Sequence, residues 1–323
     1  MTYLRFDEHR IELRQDESVL EALLREGFAV PYGCRSGVCQ TCLMRAAQGI
    51  PPQSAQKGLK DTLAVRHHFL ACICHPQTDL DIMLANDWPA PIKARIRARR
   101  KLARDILELT LETDSHLDYH AGQFIEIRGP EEHRRCYSLA SVTGEDNLIE
   151  LHVRRIPGGR VSNWLHDHLT PGDNLEIRGP MGSCFYCPGN PQQTLLMIGT
   201  GTGLAPLYGI LREALRQGHY GPIHLFHGSR SPEGLYFQDV LQELADRHAQ
   251  LHYVPCLSGE NIPGGITRGR AHEVALSRFD TLSKWRIFLC GNPGMVREAR
   301  LRAFLAGAES RNIHADPFMT NTP

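Results

Sequence analysis

Four cysteines constrain this chain more than any other feature. Cys34, Cys39 and Cys42 stand in a C-x4-C-x2-C run, and Cys72 follows much further on. That is the ligand spacing of a [2Fe–2S] cluster, in which three thiolates on one tight loop and a fourth from a distant segment surround two irons. The loop from Pro31 to Cys42 also carries Gly33, Ser36 and Gly37. Small residues allow unusual backbone angles and leave N–H groups free to bond sulfur, which tunes a reduction potential. A zinc site would more usually show two short C-x2-4-C pairs, and no second knuckle exists here. A Rieske centre needs two His ligands on one iron. His75 lies near Cys72 and Cys74, but the first loop holds no matching Cys-His pair. Cys74 reads as a buried neighbour of the fourth ligand.

The chain has 323 residues, too many for one ordinary core, so two or three domains are expected. Ten cysteines behind an N-terminus without an apolar signal core point to a metal site or catalysis rather than disulfides. No stretch approaches the ~18 apolar residues that span a bilayer. The formal charge is zero, so neither nucleic acid nor an acidic membrane surface is an expected partner. The expectation is a cytoplasmic protein.

From Tyr3 to about Leu13 the pattern predicts two short strands with a turn around Asp7–Arg10. Ser18 then caps a helix that places Val19, Leu20, Leu23 and Leu24 on one face, and Gly27 stops it. Strands follow the cysteine loop at Leu43–Ala46 and Asp79–Leu84. Strands wrapped on one helix with this loop resemble the plant-type ferredoxin fold, a β-grasp module, over about residues 1–86. Two prolines within Asn86–Pro91 mark a linker. Residues 92–104 carry seven Lys or Arg alternating with Ile92, Ala94, Ile96, Ala98 and Leu102. Such alternation predicts a strand with one solvated face rather than a nucleic-acid patch. Regular turns through about residue 188 predict a small antiparallel barrel, with one helix from Ser162 to about His168.

Two local clusters stand out in that barrel. In Arg135-Cys136-Tyr137-Ser138, strand alternation puts Arg135 and Tyr137 on one side, a guanidinium suited to pyrophosphate beside a ring that can lie on a flavin. Pro157-Gly158-Gly159-Arg160-Val161-Ser162 is a glycine turn running into a helix start, whose free N–H groups can hold an anion. Gln123-Phe124 continues a strand that helps wall the site. After Asn190-Pro191 the pattern becomes strand–helix alternation, the mark of a doubly wound sheet. The buried strand Thr194–Ile198 feeds Gly199-Thr200-Gly201-Thr202-Gly203, a dinucleotide phosphate turn with Pro206 in the first helical turn. Further strands are expected at Ile223–His227, Leu251–Pro255 and Arg286–Leu289, with a helix over Leu235–His248. No acidic residue ends Ile223–His227, the second strand of this sheet, to bind ribose hydroxyls. Ser229-Arg230 stands there, which leaves NADPH as open as NADH. Cys184-Phe185-Tyr186-Cys187 is a C-x2-C run followed by Pro188-Gly189 rather than a helix start, so no redox role is expected of it.

The barrel motifs, in this order, resemble the flavin domain of the ferredoxin–NADP reductase family. The resemblance implies that Arg135, Gly159, Val161 and Ser162 hold the FAD pyrophosphate and that Tyr137 packs on the isoalloxazine. Ser138 would approach the reactive flavin nitrogen, and His152-Val153-Arg154 would run alongside. It places Gly201, Thr202, Gly203, Arg230, Cys290 and Gly291 around the nicotinamide nucleotide. Ala315-Asp316-Pro317-Phe318 resembles the family's terminal segment, which makes Phe318 the aromatic lid over the flavin. Ser138, Cys290 and Phe318 are thus the expected catalytic residues, with no covalent role for Cys290 because no His and acid pair stands near it.

The whole chain resembles the three-module reductase component of bacterial multicomponent oxygenases. The implied fold class is α+β and multi-domain: a β-grasp ferredoxin module (1–88), an antiparallel six-stranded flavin-binding barrel (89–189) and a doubly wound α/β nucleotide-binding domain (190–323). The chemistry agrees, since a nicotinamide delivers two electrons as hydride, a cluster passes one at a time, and a flavin converts between them. The implied acceptor is an oxygenase or a separate ferredoxin, with NADH favoured by the resemblance and a monomer expected. A deoxysugar dehydratase as acceptor and a redox-sensing regulatory protein are the alternatives.

Overall fold

Alternation shapes the first strands. In β1 (Tyr3–Phe6), Leu4 and Phe6 turn inward, and β2 (His9–Glu12) pairs with it antiparallel through a turn in which Asp7 is left-handed. The computed structural model describes residues 2–85, 88–260 and 262–319, which divide into two compact units, one ending at Trp88 and one beginning at Pro89.

In the first unit, α1 (Val19–Arg25) starts at a capping box: Ser18 Oγ accepts the Glu21 N–H at 3.3 Å and the Glu21 carboxylate accepts the Ser18 N–H at 2.8 Å. The helix buries Val19, Leu20, Ala22 and Leu23. The Val19 N–H reaches the Cys74 carbonyl at 2.9 Å, which ties the helix start to the segment bearing Cys72. β3 (Leu43–Gln48), the short α2 (Asp61–Ala64), β4 (His68–Leu70) and β5 (Leu80–Leu84) complete the unit. The sheet order is β2-β1-β5-β3-β4, mixed because β1 and β5 run parallel. Its core packs Phe69, Met44 and Leu80 against the α1 face. The sequence pattern did not anticipate α2 and β4.

The second unit begins with an antiparallel sheet of β6 (Ile92–Ala103), β7 (Ile106–Thr113), β8 (Phe124–Arg128), β9 (Arg134–Ser138), β10 (Ile149–Arg154) and β11 (Asn174–Met181), in the order β10-β7-β6-β11-β8-β9. A bridge between Leu139 and Leu151 and a hydrogen bond from the Ala140 N–H to the Glu150 carbonyl bring the two ends together, making the expected six-stranded barrel. Ala94 and Ile96 face its core. The alternation expected for 92–104 breaks at a register shift between Ile96 and Ala98, so Ala98 is exposed. The strand's cations are spent locally: Arg97 on Glu112, Arg100 on Glu108 and Arg99 on the His166 carbonyl, each at 2.5 Å. α3 (Arg160–Asp167) starts two residues before the expected Ser162.

A second sheet follows, parallel throughout: β12 (Leu195–Thr200), β13 (Ile223–Ser229), β14 (Leu251–Leu257), β15 (Thr267–Arg268), β16 (Arg286–Gly291) and β17 (Ile313–Pro317), ordered β15-β14-β13-β12-β16-β17. α4 (Leu204–Arg216), α5 (Gln238–Arg247), α6 (Ala271–Ser277) and α7 (Pro293–Leu305) cover it. Leu195 to Ile198 are fully buried, as strands covered on both faces require. The sequence pattern missed α6, α7 and β17. It also began α5 three residues early, because Leu235 and Tyr236 are core residues of a turn and Phe237 is left-handed. Barrel and sheet share a core in which Ile106, Leu102 and Ala103 pack with Leu204 and Leu207. No helix among the described residues is long and apolar enough to cross a membrane.

Because the Ser18 cap anchors a helix tied to the Cys72–Cys74 segment, Ser18→Ala is expected to cost the first unit about 1 kcal/mol. Thermal unfolding followed through cluster absorbance should shift down by roughly 4–8 °C.

Candidate functional site

The cysteine loop is wound by three left-handed residues, Arg35 (φ 55), Gly37 (φ 76) and Gln40 (φ 59). A side chain at Gly37 would sit 2.7 Å from Ile73 Cδ1, so both its angle and its space demand glycine. This winding aims backbone at sulfur. The N–H groups of Ser36 and Cys39 point at Cys34 Sγ (3.4 and 3.3 Å), and that of Cys34 points at Cys39 Sγ (3.3 Å). Hydrogen bonds from the Ser36 side chain and from these N–H groups hold the Cys34 thiol down at about 5. Cys42 and Cys72 approach to 3.2 Å between sulfurs, and burial pushes the Cys42 thiol up to about 11. All four thiols are free. Two thiol pairs, Cys34 with Cys39 and Cys42 with Cys72, with N–H groups already aimed at the sulfurs of the first pair, suit the two irons of a [2Fe–2S] cluster. Cys74 is fully buried in the apolar core, where burial alone pushes its thiol up to about 12.

On the barrel, β9 pairs with β8 along one edge, and beyond the Leu139–Leu151 bridge its other edge meets no ladder among the described residues. β9 and β10 therefore splay into an open slot. Arg135 is exposed on this strand, bonds only to the Arg134 carbonyl and has no carboxylate partner among the described residues. Its neighbour Arg134, by contrast, is spent on Glu126 at 3.2 Å. Tyr137, on the same side as Arg135, rests against the barrel core. The start of α3 has no capping side chain, which leaves its first N–H groups available to an anion. An unpaired guanidinium, an uncapped helix start and an open strand edge suit the diphosphate and flat ring of FAD.

Several expected cofactor residues turn elsewhere. Val153 and Val161 lie in the barrel core. His152 is enclosed, with Nδ1 3.0 Å from the Tyr236 hydroxyl and Nε2 2.7 Å from Glu150, so it joins barrel to sheet. Ser162 Oγ accepts the Ile156 N–H at 3.2 Å and closes the glycine turn at Gly159. Only backbone groups of these residues are placed to meet a ligand. Arg154 is exposed, bonded to Asp105 at 2.9 Å.

Arg154 reaches a cleft of about 1270 Å³ at the carboxyl edge of the parallel sheet, walled by Gly201, Thr202, Arg230, Gly291 and Phe318. That edge is where nucleotides bind in doubly wound folds. Gly203 is not in the wall. A side chain there would stand 2.2 Å from the Cys290 carbonyl oxygen, so its absence is what lets the turn close on β16. Thr200 braces the opposite rim, its Oγ1 accepting the Asn292 N–H at 3.1 Å, while Asn292 caps α7 through the N–H groups of Gly294 and Met295. Thr200, Ser229 and Asn292, from segments the sequence marked as nucleotide-binding, also bound the cleft, as do Arg104 and Arg270, which carried no such mark. Pro293 one position after Asn292 was the readable signal of a cap.

Barrel and sheet meet where Ser138 Oγ bonds Asp316 Oδ2 at 3.2 Å. Asp316 pairs with Cys290 across β17 and β16, and the Phe318 N–H bonds the Gly291 carbonyl at 2.8 Å, so the three expected catalytic residues do converge. The Cys290 thiol, however, is fully buried, 3.7 Å from Cys184 Sγ, and burial pushes it well up. It is a neutral packing group. Cys184 thus faces Cys290, not its C-x2-C partner Cys187. Asp316 stands at this junction, a residue to which the sequence pattern assigned no role of its own. Part of the residue touches solvent, but its carboxyl is enclosed, and burial raises it to about 6 against the opposing Ser138 hydrogen bond. Nothing about an Asp before a Pro in the sequence announces that enclosure.

A family of 2Fe-2S iron-sulfur cluster binding domains matches residues 5–77, an oxidoreductase FAD-binding domain family matches 93–186, and an oxidoreductase NAD-binding domain family matches 197–301. The chain is 35% identical to the reductase subunit of an aromatic O-demethylase from Amycolatopsis sp., over 96% of each protein. It is 31% identical to the reductase component of the naphthalene 1,2-dioxygenase system of Pseudomonas putida, over 93% of each. Among solved structures it resembles an Amycolatopsis cytochrome P450 reductase (TM-score 0.70, 31% identity, 100% of both chains) and the ferredoxin reductase of carbazole 1,9a-dioxygenase (0.66, 27%, 98% of both). Fold and site define a flavin- and iron–sulfur-dependent NAD(P)H oxidoreductase. The chain belongs to the family of three-module [2Fe–2S]/FAD/NAD(P)H ferredoxin reductases.

Bound there, FAD would supply the conversion of a hydride's electron pair into single electrons. The chain's own part is to bind, orient and exclude water. Arg135 and the α3 start would offer charge and N–H groups to the diphosphate, while the glycine turn at Gly201–Thr202 and Phe318 wall the cleft. The enclosed Asp316 carboxyl, bonded by Ser138, holds its proton to a higher pH than an ordinary carboxylate.

Asp316 also gives a pH test. Its folded value lies above the ordinary carboxylate range, so the native state holds the extra proton, and stability is highest below about pH 4 and lost as pH rises through about 6. Ionising it costs up to about 3 kcal/mol. Asp316→Asn should therefore raise Tm relative to the parent at pH 8 and leave it unchanged at pH 4.

Proposed function

We propose that this chain is the reductase component of a multicomponent oxygenase, taking electrons from NADH and delivering them singly from its [2Fe–2S] cluster to the oxygenase or to a separate ferredoxin. One observation carries the reading: Cys34 and Cys39 lie exposed at the surface, so a cluster held there stands where a partner protein can touch it. The reductases of the O-demethylase and naphthalene dioxygenase systems, aligned over nearly their whole length, support the same acceptor class. In this reading Cys34, Cys39, Cys42 and Cys72 are the cluster ligands. Arg135, Tyr137, Ser138 and the Gly159–Ser162 backbone carry FAD, with Arg154 at its margin. Gly201, Thr202, Arg230 and Gly291 carry the nucleotide. Ser138, Asp316 and Phe318 surround the hydride path, with Cys290 as packing behind it. The modules run 1–88, 89–189 and 190–323. Ten free cysteines suit a reducing cytoplasm, and a monomer suffices for an electron carrier with an exposed cluster.

Cys39→Ser separates the steps. The variant should lose the cluster absorbance and nearly all NADH-dependent reduction of cytochrome c, which needs the cluster, while ferricyanide reduction at the flavin persists within about twofold, because the flavin residues belong to the other compact unit and independent sites act additively. Retained cytochrome c reduction would contradict the assigned exit.

A further inference from the structure

The rim of the cysteine loop carries charge of one sign. Residues 27–60 include Arg35, Arg45, Lys57 and Lys60 and not one Asp or Glu. Nearly every residue from Pro31 to Thr41 is exposed, Tyr32 at 44% and Val38 at 78%. Gln40 Nε2 donates to the Gly58 carbonyl at 3.0 Å, which brings the Lys57–Gly58 turn beside the loop. The Arg35 guanidinium lies 4.6 Å from the Tyr32 ring centroid. Neither Arg35 nor Lys57 makes an ion pair among the described residues. The carboxylates bounding the stretch are engaged: Glu26 by Arg25, and Asp61 by the Thr62 N–H at 2.7 Å. On the far flank Glu21 is folded onto Ser18. The basic strand β6 shows the contrast, since there Arg97 and Arg100 are neutralised by carboxylates of the neighbouring strand. Thiolates and sulfides outweigh two ferric ions, so a bound cluster places negative charge at the centre of this basic and apolar ring.

We propose that this rim is the docking face for an acidic acceptor protein, one that sets carboxylates around an apolar patch over its own redox centre. The carboxylates would meet Arg35 and Lys57 and stand clear of the cluster, while Tyr32 and Val38 supply the dry contact. The inference rests on the reading that electrons leave through the cluster. Charges at such a rim act mainly on the association rate and fade with salt.

Two forms of one probe test it: native cytochrome c, which is strongly basic, and the same protein with its lysines succinylated, which is acidic. With the full-length protein carrying FAD and cluster, the second-order rate of NADH-driven reduction is measured at low and high ionic strength. The succinylated form should react faster at low salt and slow as salt rises. Lys57→Glu should slow it by roughly three- to tenfold without slowing the native form. Lys101→Glu, the same charge change on the other unit, should have no such effect. Faster, salt-sensitive reduction of native cytochrome c, or an inert Lys57→Glu, would overturn the inference. So would slower reduction of the variant's own cluster by NADH without acceptor, since the face would then serve internal transfer. If ferricyanide is reduced and neither cytochrome form is, the exit through the cluster fails, and the docking face fails with it.

Discussion

Barrel and sheet are held by a shared apolar core, and at its edge Ser138 Oγ bonds Asp316 Oδ2. That bond joins the last residue of β9 to the edge strand β17, and three other features converge on the same place. Gly203 lets the nucleotide turn close on the Cys290 carbonyl, Phe318 is pinned to Gly291, and the slot between β9 and β10 opens beside it. A flavin edge and a nicotinamide must touch for hydride to pass. Here the chain brings the flavin-side strand and the nucleotide-side strands into contact through side chains and backbone of its own. The enclosed carboxyl, with its raised affinity for a proton, lies at that contact.

The parts of the fold that were legible in the sequence were those set by local physics. Ser18 marked a helix start, the glycine after Ile198 marked a strand-to-helix turn, and the C-x4-C-x2-C run marked a cluster loop. The structure adds what only tertiary contact decides. β17 is a short polar strand that exists because β16 offers it an edge, and α7 buries only a narrow side, so neither carried a clear period. His152 and Val153 show the limit at the site. Proximity to a motif suggested ligand contact, but strand alternation and a buried Glu150–His152–Tyr236 chain direct their side chains into the protein. Asp316 was legible as a letter and not as a function, because its environment is assembled from β9, β16 and β17.

Charge tells a parallel story. A net charge of zero hides two distinct basic regions. In the one most conspicuous in the sequence, on β6, Arg97 and Arg100 are paired with carboxylates of the neighbouring strand and Arg99 is spent on backbone carbonyls. The less conspicuous one, spread thinly over residues 27–60, remains open around the cluster loop. Neutralisation by neighbours, not density along the chain, decides which positive segment a partner can feel.

The central claim is that one chain converts a hydride into single electrons along a fixed order of sites. Anaerobic stopped-flow mixing with NADH, and separately with NADPH, tests it most directly through the flavin and iron–sulfur absorbance bands. The account predicts flavin bleaching first, cluster bleaching second, and the faster first phase with NADH. Cluster bleaching that precedes or accompanies the flavin phase, or no rapid flavin reduction by either nucleotide, would contradict it.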